Sequence, residues 1–215
     1  GGLARDKDAV CAAMLAAEQV GCLPVQIAGE TRESFNVIEG ASGLEYRFVL
    51  PGPAGTERDI VALEVRLAEA SPGATGVLSG SLPPGAPATL YGRLAREVRG
   101  RASGVVLDAS GAALGGGLAG VDLVKPSLEE LEEVAGRRLA TLAARLTACR
   151  NLIARHEVGL VALSMGAEGA MLVSAGEALT APALPLPSAT AVGAGDTFLA
   201  ALVWARGQGM SSGQA

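Results

Sequence analysis

Short apolar runs of strand length recur along the chain, separated by stretches with helical spacing, and this alternation restricts the fold more than any other feature. Gly76–Ser79, Val105–Asp108, Leu123–Lys125 and Leu160–Ser164 read as strands. Ala86–Arg99, Leu128–Val134 and Ala140–Arg155 read as helices. Ala170–Val173 and Ala178–Ala181 add two further strand-like runs. Such alternation predicts an α/β fold: a mainly parallel central sheet with helices on both faces. Ligands in these folds gather at the carboxyl ends of the strands. Ser79-Gly80-Ser81, Lys125-Pro126-Ser127 and Ser164-Met165-Gly166 all fall at such ends, which points to one shared site.

The first third is less regular. Asp8–Val20 has helical spacing, Leu23–Ala28 reads as a strand, and Thr56–Ala70 reads as a helix with Glu64 and Arg66 toward solvent. Phe35–Glu39 and Tyr46–Leu50 are β-type runs joined by Gly40-Ala41-Ser42-Gly43, a hairpin signal that interrupts the alternation. It predicts a small β insertion standing off the main sheet. Gly111–Gly120 reads as a loop or a loosened helix.

The run Thr190-Ala191-Val192-Gly193-Ala194-Gly195-Asp196-Thr197 precedes Phe198–Ala205, which reads as a buried helix. Two glycines leave amide N–H groups free to close on an anion. A helix start adds free donors and a partial positive charge. Asp196 therefore stands where negative charge is stabilised and carries a carboxylate that can take a proton. Phosphoryl transfer needs that pairing. A plain glycine turn with Asp as N-cap fits the same tetrapeptide.

Composition removes several other classes. With 49% hydrophobic residues and a mean hydropathy of +0.37, a sizeable core is within reach. No apolar run is long and uninterrupted enough for a membrane span. A net charge of −5 argues against a nucleic-acid surface. Cys11, Cys22 and Cys149 follow no disulfide pattern, and a single histidine, His156, cannot build the usual zinc site. A cytoplasmic enzyme is the class left. The two lysines, Lys7 and Lys125, do not follow glycine, so there is no Walker-type loop. Gly115–Gly120 matches a dinucleotide pattern only formally, because it precedes a strand instead of opening a helix.

Five segments in order resemble the phosphofructokinase-B family of ribokinase-like carbohydrate kinases: Thr31-Arg32-Glu33-Ser34 with its hairpin, Ser79–Gly85, Val124–Ser127 with Glu130, Ser164–Gly169, and Gly193–Asp196. The resemblance covers nearly the whole chain and is closest to the bacterial minor 6-phosphofructokinases. It implies a ribokinase-like core from 1–28 and 53–215, with 29–52 as a β lid that pairs with a second copy in a homodimer. It implies ATP-dependent phosphorylation of a sugar phosphate, foremost fructose 6-phosphate, with tagatose 6-phosphate and fructose 1-phosphate as alternative acceptors. A sugar- or nucleotide-binding module without turnover is the reading from another class.

The same resemblance implies roles for particular residues. Asp196 would be the general base, and the amides of Gly193, Ala194 and Gly195 would stabilise the transferring group. Lys125, Ser127, Ser164, Gly166 and Gly169 would contact the nucleotide, and Arg32 and Ser81 the acceptor's phosphate. Glu130 would hold Mg²⁺ through water, and a monovalent cation, K⁺, would sit near Thr190 and Val192. The bland alternatives are an exposed loop arginine for Arg32, a solvated helix residue for Glu130 and a plain turn for Ser164–Gly169. The family's Asn-x-x-Glu is Ser127-x-x-Glu130 here, which keeps an acceptor but loses an amide donor. Neither nucleic acid nor membrane is an expected partner. The family's first strand and its glycine- and asparagine-containing sugar motif have no counterpart here, so the expectation is a chain cut at both ends, with little activity on its own.

Overall fold

The computed structural model describes residues 3–69, 71–184 and 193–214. The chain divides into two compact units, Gly1–Glu69 with Leu82–Ala86, and Ala70–Ser81 with Pro87–Ala215. This division differs from the expected one, because the hairpin shares its unit with two helices.

The first unit holds α1 (Leu3–Ala17), the antiparallel pair β1 (Ser34–Ile38) and β2 (Glu45–Val49), and α2 (Glu57–Ala68). Helix α1 stops short of Val20 because Gln19 turns left-handed (φ 59°) and the Val20 N–H donates back to the Leu15 carbonyl at 2.8 Å. The expected strand Leu23–Ala28 does not form. Pro24 has no N–H to donate, and no described segment pairs with this stretch. The hairpin forms as expected, closed by Glu39 N–H on the Leu44 carbonyl at 2.8 Å, with Phe35 stacked on Phe48. Thr56 and Asp59 cap α2 reciprocally. Glu64 is half-buried, not on the solvent face, while Arg66 is exposed and pairs with Glu69. The loop 82–86 belongs to this unit through the Gly55 N–H, which donates to the Pro84 carbonyl at 3.0 Å.

The second unit is a six-stranded sheet in the order β3 (Thr75–Ser79), β4 (Gly104–Asp108), β5 (Leu123–Val124), β6 (Leu160–Ser164), β7 (Ala170–Ser174), β8 (Ala178–Ala181). The first four run parallel, and β7 and β8 return antiparallel. Helices α3 (Leu90–Arg99), α4 (Gly111–Gly117), α5 (Leu128–Ala135) and α6 (Leu142–His156) connect the strands. Helix α3 begins at Leu90, not Ala86, since Pro87 lies in the turn that precedes it. The glycine-rich 111–117 segment is a true helix. A Cβ on Gly116 would lie 2.6 Å from the Ala88 carbonyl oxygen, so glycine is what permits the close approach to the start of α3.

Alternation along the strands sorts the core. Val105, Leu107, Val161 and Leu163 are fully buried on one side. Val106, Leu123, Leu160 and Ala162 point the other way and pack against Leu199 and Leu202 of α7 (Ala194–Gly207). Helix α7 is therefore buried on one face only. Trp204 is 62% exposed and Ala200 and Ala201 are also exposed, where the sequence reading had a buried helix. Each fully buried leucine on that face contributes roughly 1.5–3 kcal/mol.

None of the three cysteines is disulfide-bonded. Burial in α6 pushes the Cys149 thiol up to about 12, whereas Cys11 and Cys22 are exposed. A thiol reagent at about pH 8 should therefore titrate only Cys11 and Cys22 in the native protein, with Cys149 reacting on denaturation. Native reaction of all three would mean that α6 opens readily.

Candidate active site

Alternation also sets which side chains meet at the carboxyl ends of the strands. Asp108 follows Val106 at the end of β4, and Lys125 follows Leu123 just past β5, so both emerge on the α7 face. Lys125 Nζ lies 3.0 Å from Asp108 Oδ1, and the two side chains are 7% and 14% exposed. Removing one partner of such a buried pair typically costs about 3–5 kcal/mol.

The start of α7 meets this pair. Gly193 is the left-handed N-cap (φ 77°), and the Thr197 N–H returns to the Gly193 carbonyl at 2.9 Å. The amides of Ala194, Gly195 and Asp196 have no partner within the helix and carry its positive end. A Cβ on Gly195 would stand 3.3 Å from Lys125 Nζ. The second glycine thus leaves room for the Lys125 ammonium. Asp196, in the first turn, lines an open cleft of about 450 Å³ together with Ser79, Asp108, Leu199 and Trp204. Ser79 is the register partner of Asp108. The Tyr91 hydroxyl, from α3, donates to the Ser79 and Gly80 carbonyls at 3.1 and 2.9 Å and fixes the end of β3. Burial, then the charge of Asp108, raises the Tyr91 pKa and keeps it a donor. Ser81, two residues past β3, is exposed.

The other expected residues form a second group. Ser127 and Ser164 are bridged as parallel neighbours, and the Ser164 N–H donates to the Pro126 carbonyl at 3.0 Å. Ser127 and Glu130 make a capping box: the Ser127 N–H donates to Glu130 Oε2 at 2.8 Å and the Glu130 N–H to Ser127 Oγ at 3.2 Å. Gly166 and Gly169 bracket a single 3-10 turn. A Cβ on Gly169 would sit 2.0 Å from the Ala181 carbonyl oxygen, so that glycine is required by its close contact with the end of β8. Arg32 is an exposed residue of the first unit. Thr190 and Val192, the expected monovalent-cation residues, lie outside the described residues.

Among the described residues no three His, Cys, Asp or Glu side chains cluster as a metal site. Mg²⁺ commonly keeps several waters and takes one or two carboxylates plus substrate phosphates. One Glu130 oxygen is engaged in the capping box, and the rest of that carboxylate suits a water-mediated contact of this kind.

Sequence reading missed Asp108, Tyr91 and Arg145. A lone carboxylate closing the run Val105-Val106-Leu107 was a usable signal for Asp108. The Ser-x-x-Glu spacing at 127–130 was a usable signal for the capping box. No local pattern reveals Arg145, whose partners come from separate elements. Its guanidinium is buried, forks onto Glu168 at 2.8 and 3.0 Å, and donates to the Leu139 carbonyl at 3.0 Å. It thereby ties the 166–168 turn to α6.

Those hydrogen bonds from Arg145 hold the Glu168 carboxyl below its ordinary range. The stabilisation is complete above the unfolded carboxylate value, about 4.3, and is lost as pH falls through the lower folded value. Glu168→Gln should therefore lower Tm at neutral pH, with the gap to the parent chain closing in acid. Parallel Tm–pH curves for the two proteins would exclude the pair as a source of acid sensitivity.

Comparison with known proteins gives a consistent picture. The sequence profile described as pfkB family carbohydrate kinase matches residues 6–215. The ATP-dependent 6-phosphofructokinase isozyme 2 of Mycobacterium tuberculosis is 40% identical over 189 residues, covering 87% of this chain and 56% of that protein. A 1-phosphofructokinase of Rhodobacter capsulatus is 39% identical over 188 residues, covering 86% of this chain and 59% of that protein. The tetrameric inhibited form of phosphofructokinase-2 from Escherichia coli matches with a TM-score of 0.84 at 31% identity, covering 93% of this chain and 66% of that one. The same Escherichia coli enzyme in complex with potassium also scores 0.84. The chain spans less than two thirds of the length of each of these relatives.

Proposed function

The chain belongs to the pfkB family of carbohydrate kinases, and on that footing we propose that the whole protein is an ATP-dependent kinase of a fructose phosphate. The fold expected of such a kinase is present as a mixed six-stranded α/β sheet. The observation that carries the proposal is that the Lys125 ammonium lies beside Gly195 in the first turn of α7, while Asp196 of that same turn lines a cleft with Asp108, the partner of Lys125.

In this reading Asp196 accepts the proton of the acceptor's primary hydroxyl as its oxygen attacks the γ-phosphorus. The bond from that phosphorus to the β,γ-bridging oxygen breaks and ADP leaves. Charge on the transferring group falls on the amides of Gly193, Ala194 and Gly195, with that of Asp196 beside them, backed by Lys125. The turn Ser164–Gly169, packed beside Ser127, offers the nucleotide the amides of Gly166 and Ala167, since those of Ser164, Met165, Glu168 and Gly169 donate within the fold. Mg²⁺, when bound with the nucleotide, neutralises phosphate charge, and Glu130 would hold it through water. Arg32 and Ser81 are assigned to the acceptor's own phosphate on the resemblance alone.

Fructose 6-phosphate is the first acceptor in this proposal, and fructose 1-phosphate the second, since relatives of nearly equal identity carry both names. We also assign the 29–52 hairpin to a lid and homodimer contact. Its exposed Phe35, Val37, Ile38, Tyr46 and Phe48 suit a paired surface. The free thiols suit the cytoplasm, and no described helix is long and apolar enough to cross a membrane.

The test is ADP release by the whole protein with fructose 6-phosphate, fructose 1-phosphate and tagatose 6-phosphate. Asp196→Asn should lower kcat by about 10²–10⁴-fold while leaving ATP binding largely intact. Near-parental turnover in the folded variant would remove Asp196 from the base role, and no turnover with any of the three sugars would overturn the kinase reading. Arg32→Ala should raise KM for the sugar phosphate far more than KM for ATP, by the roughly 1.5–3 kcal/mol of a charge-assisted bond. Equal changes for both substrates would make Arg32 a structural residue.

A further inference from the structure

We propose that Asp108 is a positioning residue, holding the Lys125 ammonium against the start of α7 so that lysine and helix amides form one surface for the transferring phosphoryl group. This rests on the phosphoryl-transfer reading above and adds a residue that reading does not contain.

Lys125 alone would not stay where the structure puts it. Its ammonium lies beside Gly195, in the first turn of α7, at the positive end of that helix. Like polarities repel there, since cations are favoured at the other end of a helix. A lysine stem has four flexible carbons and a strongly hydrated head, so an unanchored ammonium would swing to water. Asp108 opposes both tendencies. It projects from the neighbouring strand on the same face, sits 3.0 Å from Nζ, and forms with it a pair almost withdrawn from solvent. Ionic attraction is stronger in such a low-dielectric place than in water.

Asp108 is itself held. Ser79 pairs with it across the β3–β4 ladder, and the Gly80 N–H donates to the Asp108 carbonyl at 3.0 Å. Tyr91 in turn fixes the Ser79 and Gly80 carbonyls. The strand end that carries the carboxylate is thus tied on the side away from Lys125. The ammonium position follows from a fixed carboxylate, and Gly195 supplies the space.

A residue that acts through Lys125 has a distinct signature. Asp108→Asn should lower kcat about tenfold or more because the ammonium is no longer placed, and should weaken ATP binding by no more than loss of the lysine itself does. Lys125→Met should weaken ATP binding by about tenfold or more. In the Lys125→Met background, adding Asp108→Asn should change neither kcat nor ATP affinity.

The four proteins of this cycle can be compared in the whole protein by calorimetric titration with ATP, by ADP release, and by thermal unfolding. A further loss in the double variant relative to Lys125→Met would show that Asp108 acts directly on nucleotide, metal or acceptor, and would overturn the proposal. Weaker ATP binding in Asp108→Asn than in Lys125→Met would do the same. Should Asp108→Asn fail to fold with its lysine unpaired, the comparison of Lys125→Met with the double variant, in which neither charge remains, decides the question. If the parent protein turns over none of the sugar phosphates, the kinase reading fails, while the ATP-binding cycle still tests the Asp108–Lys125 coupling.

Discussion

The parallel pairing of β3, β4, β5 and β6 is the constraint from which the site follows. Parallel strands point all their carboxyl ends one way. Strict alternation then decides which end residues share a face. Val106 and Leu123 are committed to the α7 side by the core, so Asp108 and Lys125, two residues on, have no choice of side. A one-residue slip of β5 against β4 would turn Lys125 to the opposite face, among the fully buried Leu107 and Val161. Placement of the charged pair is thus a by-product of hydrophobic packing that can be traced residue by residue.

The same packing explains what was legible beforehand. Every strand of the second unit was visible as a short apolar run, most plainly β4, β5 and β6, which are covered on both sides and tolerate no polar interruption. Its helices were visible through their spacing, apart from the glycine-rich 111–117 segment, which read as a loop or a loosened helix. What the sequence did not expose was whatever depends on partners far apart along the chain. The Arg145–Glu168 fork joins α6 to a turn after β6, and nothing local to either residue announces it. The burial of only one face of α7 was also illegible, since Phe198–Ala205 is apolar nearly all round and gives no preferred side.

Glycine misled in both directions. Gly111–Gly120 reads as a loop or a loosened helix, but 111–117 is helical, because close approach to the start of α3 requires a missing side chain at Gly116 and outweighs the cost, roughly 1 kcal/mol per glycine. The pair Gly193 and Gly195 reads as bare backbone for an anion, and the structure adds a second reason for one of them. Gly193 takes the left-handed turn into α7, whereas Gly195 makes room for Lys125. The two glycines of one motif therefore have separate physical causes, and only the first concerns backbone conformation. Leu23–Ala28 is the opposite case: the apolar content was real, but a strand also needs a partner and a full set of N–H donors.

Acceptor choice obeys a different logic from phosphoryl transfer. The Lys125 ammonium, the first-turn amides of α7 and the Asp196 carboxylate suit a phosphoryl group and a hydroxyl proton, and both are common to every sugar phosphate. They contain nothing that distinguishes a phosphate at one end of fructose from a phosphate at the other. Relatives at 40% and 39% identity carry names for different acceptors. Overall similarity is dominated by the core that builds the shared chemistry, so it is blind to that distinction. Discrimination between isomeric sugar phosphates must come from a few charged donors set at a fixed distance from the reacting hydroxyl, where a misplaced phosphate leaves a buried cation or an oxygen unpaired. Arginine is the residue suited to this, because its planar fork matches phosphate oxygens in geometry as well as in charge. Acceptor choice is accordingly set by a few individual charged and hydroxyl side chains and not by the shared fold.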